Sequence, residues 1–276
     1  MSHIQERAML AQLSISMWTA RKQDRKVSAE VETAHGAHNA GRYNKDLVNK
    51  ALLDPIKVLA GEVRAYHYKM TLPWSDAGPR LLPAKLFADY TTQLRALRSK
   101  FDALVTAMLT AYPAEVQAAR TRLGTMYEPS DYPQVEDLKK SFGLTLEFNP
   151  MPSASDFRVD VGIETANEIR ESITANVHSR QKYAIESTLA RVKDVVSKIH
   201  ERLSDPKALF RDTLIENAED LCGVLDGLNI TNDPLITQLE RDIRAHLLKP
   251  PTLLRSSMST RAAVAQKAQE ILASLP

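Results

Sequence analysis

Apolar residues recur at steps of three and four through Ala166, Ile169, Ile173 and Val177, then through Ile185, Leu189, Val192, Val196, Ile199 and Leu203. A helix turning every 3.6 residues lines these positions up as one stripe, so the spacing predicts a continuous helix from about 163 to 203. At 1.5 Å per residue it would be about 60 Å long, more than one compact domain covers, and it therefore needs a partner. Phe87, Tyr90, Leu94, Leu97, Phe101, Leu104, Met108 and Tyr112 repeat the same spacing through residues 84 to 112. The two segments suit an antiparallel coiled-coil-like hairpin or part of a bundle; pairing of the long helix with a second copy of itself satisfies the pattern equally well.

Toward the C-terminus, Asp205-Pro206 and Asp233-Pro234 each set an oxygen acceptor before a proline, the residue whose missing amide costs nothing at a first helical position. The first start leads into Phe210, Leu214, Leu221, Leu225 and Leu228, the second into Ile236, Leu239, Ile243 and Leu247, which Lys249-Pro250-Pro251 stops. A last helix, about Thr260 to Ala273, docks by Val264 and Ile271. Alternation takes over elsewhere. Leu13, Ile15 and Met17 alternate with polar neighbours, Lys26 to Val31 does so more weakly, and Leu144 to Phe148 and Phe157 to Val161 repeat the pattern around the loop 149–153. These segments predict an α+β fold, predominantly α, in which long antiparallel helices join a small sheet of N-terminal and central strands. The divisions expected are a basic part at 1–83 with two strands, a loop and a helix from near Asn44, a helical arm at 84–142, sheet strands at 143–162 and a helical part at 163–276, all in one integrated body.

Charge adds polarity to that outline. The first hundred residues hold sixteen Lys and Arg against nine Asp and Glu, and the rest twenty against twenty-five, so a near-neutral chain has a head of +7 and a body of −5. No window of eighteen apolar residues offers a membrane span, and the opening MSHIQERAMLAQL lacks the layout of a secretory signal, so a cytoplasmic protein with no membrane partner is expected. The single cysteine, Cys222, can form no internal disulfide and reads as a small buried apolar residue.

The basic head carries the candidate chemistry. Trp18, Arg21, Lys22, Arg25, Lys26, Arg42, Tyr43, Lys45, Tyr66 and Lys69 combine cations for a phosphate backbone with rings on which bases stack. The break His35-Gly36-Ala37-His38-Asn39-Ala40-Gly41 can present amides to an anion, yet it lacks the spacing of a phosphate-binding loop of nucleotide hydrolases. Glu32, His35 and His38 have a metal-like spacing without a fourth ligand, so neither a metal nor a cofactor is expected. Trp74 and Arg80, in the proline-rich stretch 72–83, suit either a stacking and phosphate-contacting pair or a buried plug. No nucleophile elbow or carboxylate pair suggests an enzyme.

The succession LSISMWTARKQDRKV, HNAGRYNKDLV, YHYKMTLPWSDAGPRLLP, SDFRVDV, RLSDP, FRDTLIEN and LNITNDP resembles a conserved, uncharacterised family of proteins encoded by tailed bacteriophages, over about residues 11–276. The resemblance implies a phage protein made in the bacterial host cytoplasm and acting in DNA metabolism, host takeover or assembly; it assigns no functional residue. The function expected is non-enzymatic binding of nucleic acid, single-stranded DNA first. The alternative is a helical interaction or scaffold protein that binds a phage or host protein or assembles with copies of itself as a homo-oligomer.

Overall fold

The computed structural model describes residues 4–75 and 78–276; Asp76 and Ala77, within the proline-rich stretch, lie outside the described residues. Along the chain run α1 (Ile4–Arg7), β1 (Ala8–Ser16), β2 (Arg21–Gln23), α2 (Arg25–His35), β3 (Asn44–Asp46), α3 (Lys50–Met70), β4 (Arg80–Pro83) and α4 (Phe87–Leu123). They are followed by α5 (Val135–Lys140), β5 (Gly143–Asn149), α6 (Ile163–Ser204), α7 (Thr213–Leu228), α8 (Pro234–Asp242), α9 (Pro251–Ser256) and α10 (Met258–Ala273). The fold is α+β and predominantly α, as the periodicities predict. Its strands form a three-stranded sheet in the order β4-β1-β5 and a separate β2-β3 ribbon. No described helix is long and apolar enough to cross a membrane.

Local chemistry explains where the prediction and the structure part. The segment 26–31 is helix rather than strand. Val27 and Val31 are four residues apart as well as alternate, and Asp24 caps the start of α2 while Gly36, at φ 60, takes the left-handed turn that ends it. Residues 157–161 form no strand. Asn44 opens β3, and the helix expected there begins at Lys50. Asp205-Pro206 starts no helix: Asp205 Oδ1 accepts the Lys207 amide at 2.8 Å in a turn, and α7 begins only at Thr213. Asp233 does cap α8 as predicted, accepting from the Leu235 amide at 2.8 Å. Pro113 removes one main-chain donor without ending α4, whose buried Tyr112 anchors the spot by donating to the Pro133 carbonyl at 3.1 Å.

The chain divides into two compact units, the larger made of the described residues within 1–12, 67–90 and 147–276. Ala8 to Ala11 pair antiparallel with Arg80 to Pro83, which seats β1 against β4. The core joins Val192, Val196, Ile199 and Leu203 of α6 to Ile215 and Leu225 of α7, Ile236 and Leu239 of α8, and Val264 and Ile271 of α10. The apolar stripe of α6 is thus buried in its second half by α7 and α10. From 163 to 183 only Ala166 is buried; Ile169, Ile173 and Val177 are half-covered, and Ile163 is 84% exposed.

Cations close the helix ends in this unit. Arg261 is buried and donates to the carbonyls of Arg202, Leu203, Asp205 and Ala208, which holds the chain in the irregular course that follows α6. His67, only 5% exposed, lies with Nδ1 2.6 Å from the Tyr90 hydroxyl. Burial, reinforced by the Arg80 charge, pushes its pKa down to about 4, so the ring is neutral at neutral pH.

Two stability measurements follow from this packing. A Cβ added at Gly227 would overlap the buried Leu86 side chain, whereas one at the exposed Gly223 meets nothing. Gly227→Ala should therefore lower stability by about 1–2 kcal/mol in urea denaturation despite its better helix propensity, and Gly223→Ala should raise it by about 0.5–1 kcal/mol. If both substitutions stabilise, the Leu86 contact is not as tight as described. His67 is a base whose folded pKa lies below its ordinary 6.5, so its contribution is complete above pH 6.5 and is lost as pH falls toward 4. The loss should approach about 3 kcal/mol, since each pKa unit corresponds to about 1.4 kcal/mol. A Trp18→Phe background leaves Trp74 to report on the larger unit; there, His67→Phe should flatten the slope of stability against pH between 6.5 and 4.

Candidate nucleic-acid interface

The smaller unit comprises residues 13–66 and 91–146. It carries sixteen basic and twelve acidic residues, a net +4, against twenty and twenty-two in the larger unit. Its helices bury Leu53, Ile56, Ala60 and Val63 of α3 and Leu94, Leu97, Phe101, Val105 and Met108 of α4, each set spaced for one helical face. The helix α2 is different, because none of its residues is buried. Caps and latches hold it instead of core packing. Asp24 Oδ1 accepts the Val27 amide at 3.1 Å, and the Ser28 hydroxyl donates to the Asp24 carbonyl at 2.7 Å.

The same residues draw in the segment that precedes β3. The Asp24 amide donates to the Tyr43 carbonyl at 2.9 Å, the Tyr43 amide to Ser28 Oγ at 3.0 Å, and the Ala40 amide to Glu32 Oε1 at 3.2 Å. The ribbon completes the closure by pairing Arg21 with Asp46, Lys22 with Lys45 and Gln23 with Asn44. Residues 21–28 and 40–46, some twenty positions apart in sequence, are thereby brought to one small region.

Lys45 does not belong to the exposed set that the sequence suggests. It is 4% exposed, and its ammonium donates to the Met126 carbonyl at 2.6 Å while lying 2.8 Å from Asp131 Oδ2 and 3.6 Å from Asp24 Oδ2. Asp131 Oδ2 is close enough for an ion pair but is not aligned for a hydrogen bond. Burial alone would lower the Lys45 pKa; Asp131 and then Asp24 outweigh it and raise the value, so the group stays charged. Asp24 is lowered, first by the Val27 amide that it caps and, against its own burial, by Lys45. One carboxylate thus serves the helix start with one oxygen and the buried cation with the other. A lysine at this spot has no freedom to follow a phosphate.

Other predicted residues divide between packing and surface. Trp18 is half-buried, its ring edge-on to Tyr112 at 5.7 Å, and Tyr66 is also half-buried. Lys69 falls in the larger unit and pairs with Asp220 at 2.8 Å. Trp74 and Arg80, also there, do not pair with each other: Arg180 donates to the buried Trp74 carbonyl and lies over its ring, while Arg80 sits 4.5 Å above the Tyr68 ring. Arg21 is exposed and bonds Asp46 at 3.2 Å. Lys22, Arg25, Lys26 and Arg42 are exposed, and among the described residues no carboxylate lies within ion-pair distance of them.

Beside these cations, Ser28, Val31, Glu32, His35, Arg42 and Tyr43 line a cleft of about 340 Å³. Val31 is 51% and Tyr43 42% exposed, so an aromatic ring and an aliphatic patch face water at its edge. Glu32 is engaged with the Ala40 amide, and no three His, Cys, Asp or Glu side chains among the described residues form a group that could hold a metal ion. Arg25 and Lys26 occupy the first turn of α2, whose free amides already make that end positive, and no acid accompanies them within the turn. The arrangement offers cations and a stacking surface for a polyanion with planar groups. Val31 and Ser28 were not among the expected contacts; the capping signals at Asp24 and Gly36 carried the information that would have set them on one helix.

No protein-family model, no curated protein and no solved structure matches this chain.

The buried ion cluster can be probed directly. Lys45→Met leaves Asp24 and Asp131 without their shared cation and should lower stability by roughly 3 kcal/mol in urea denaturation at neutral pH, whereas Arg21→Gln at the exposed pair should change it by less than about 0.5 kcal/mol. The gap between Lys45→Met and the parent should narrow as pH falls below 3.8, the ordinary Asp value, because Asp24 owes its lowered pKa partly to Lys45 and its contribution disappears on protonation. Equal stabilities at neutral pH would mean that the cluster does not hold the unit together.

Proposed function

We propose that the protein is a non-enzymatic nucleic-acid-binding protein that takes single-stranded DNA on the surface formed by β2, α2 and the segment 36–43. One observation carries the reading: four exposed cations without carboxylate partners among the described residues, Lys22, Arg25, Lys26 and Arg42, are gathered by the Asp24 and Ser28 latches beside the exposed Tyr43. Phosphates meet the cations, with Arg21 released from Asp46 as a further contact. Bases stack on Tyr43 and Val31 at the mouth of the cleft, which requires unpaired strands because duplex bases keep their faces covered. Trp18, Lys45 and Tyr66, engaged or half-buried, take no direct part. The resemblance to tailed-phage proteins supports a role in phage DNA metabolism in the host cytoplasm.

A second reading, self-association as a helical scaffold, is favoured by the exposed first half of α6, where Ile169, Ile173 and Val177 are half-covered and Ile163 is open to water. Light scattering after size exclusion separates the two, since a strict monomer removes the scaffold.

The binding test is fluorescence anisotropy with a labelled oligo-dT strand. Four phosphate contacts give a slope of about −3 in log affinity against log salt, so raising NaCl from about 50 to about 200 mM should weaken binding roughly fifty-fold. Arg25→Glu with Lys26→Glu should weaken it at least tenfold. The same reversal should raise the stability of the smaller unit by about 0.3–1 kcal/mol per residue, because it sets acids at the positive end of α2. No binding at about 50 mM salt, or binding that ignores both salt and the reversal, sinks the proposal.

A further inference from the structure

The end of α3 lies in the larger unit and carries more positive charge than a helix terminus calls for. Arg191 donates from Nη1 to the Lys69 carbonyl at 3.1 Å and from Nη2 to the carbonyls of Tyr68 and Thr71 at 3.0 and 2.6 Å. Arg80 donates from Nε to Thr71 Oγ1 at 2.8 Å and from Nη2 to the Thr71 carbonyl at 3.3 Å. The two guanidinium groups thus converge on one residue, Thr71, which is fully buried and whose own hydroxyl donates a hydrogen bond to the His67 carbonyl at 2.6 Å. Both arginines are half-buried.

A helix C-terminus presents the equivalent of about half a negative charge. Set against it, two guanidinium groups leave an excess of about one and a half positive charges. The neighbouring ammonium of Lys69 does not add to this excess, being paired with Asp220 at 2.8 Å. Among the described residues no carboxylate lies within ion-pair distance of Arg80 or Arg191. Burial, and then the Arg80 charge, lower the Arg191 pKa to about 10, and burial lowers that of Arg80.

Donors remain after the main chain is served. Among the described residues, Arg80 Nη1 and Arg191 Nε have no hydrogen-bond partner. One aromatic ring stands near: Arg80 lies over the Tyr68 ring at 4.5 Å, and Tyr68 is more than half exposed. Two free guanidinium donors and an uncompensated charge of about one and a half suit a phosphate monoester, which carries about 1.5 to 2 negative charges at neutral pH and accepts through three oxygens.

We propose that Arg80 and Arg191, beside the exposed Tyr68 ring, form a binding site for a phosphomonoester, distinct from the DNA surface of the smaller unit and not dependent on it. Its occupant is a small molecule with a terminal phosphate, either inorganic phosphate itself or the 5′-phosphate of a nucleotide.

Isothermal titration of the full chain at constant ionic strength, with inorganic phosphate in one arm and adenosine 5′-monophosphate in another, tests this. Saturable one-to-one binding is expected in at least one arm, and tighter binding of the nucleotide would identify the Tyr68 ring as a base platform. Arg80→Gln should weaken binding at least tenfold and Arg80→Lys less, because lysine keeps the charge but not the fork. Arg25→Glu with Lys26→Glu should leave it unchanged, which separates this site from the DNA surface. Should Arg80→Gln fail to fold, the unmodified protein decides: phosphate should slow phenylglyoxal modification of Arg80 and Arg191 severalfold, read by peptide mass mapping. No saturable binding in either arm up to about 10 mM, affinity that survives in a folded Arg80→Gln, or protection confined to other arginines overturns the proposal.

Discussion

Long cationic side chains that donate to main-chain carbonyls are the interaction on which both units rest. A helix ends with carbonyls that have no partner within it, and leaving such a group buried and unpaired costs about 1–3 kcal/mol. Arg191 meets this need at the end of α3 and Arg261 at the end of α6. In the smaller unit Lys45 donates to the Met126 carbonyl from 81 positions away in sequence. Each clamp ties together segments that local propensity alone would leave independent. Each also buries charge, so its surroundings must compensate, and the form of compensation differs from place to place.

Lys45 is compensated by two carboxylates and is silent toward solvent. Arg80 and Arg191 have a helix terminus and a hydroxyl, which neutralise only part of their charge. Lys22, Arg25, Lys26 and Arg42 have no carboxylate within ion-pair distance among the described residues. Arg25 and Lys26 stand at the wrong end of their helix for stability, on an element without a single buried residue. Where local choices oppose the stability of the fold while the rest of the chain is consistent, the conflict marks a surface kept for another purpose. That logic underlies reading the α2 surface as the DNA-contacting face and the half-compensated arginines as a phosphate site.

Much of the helical outline was legible because amphipathic spacing is a local property. The stripe from Ala166 to Leu203 and the capped start at Asp233 are read directly from neighbours three and four residues apart. The misreadings came from short segments that satisfy two periods at once. Val27 and Val31 suit a strand and a helix equally, and only the Asp24 cap and the left-handed Gly36 settle the matter. Asp205 shares its dipeptide with Asp233, but Arg261 occupies the carbonyls around it and holds the chain in a turn. At the candidate interface, the cation-rich composition was visible while the fate of each cation was not. Lys22 and Lys45 are cross-strand neighbours, yet one is exposed and the other is enclosed by Asp24 and Asp131.

By itself the sequence determined the helical character of the chain, the small share of strand and the excess of positive charge near its start, because these follow from residue type and from periods of two and 3.6. The tertiary structure alone decided which charges are free. Whether an ammonium or guanidinium group meets a phosphate, a carboxylate or a carbonyl depends on what the fold carries to within about 3 Å of it. Lys45 and Asp131, or Arg80 and Arg191, are separated by tens of residues to more than a hundred, and no local rule of spacing relates them.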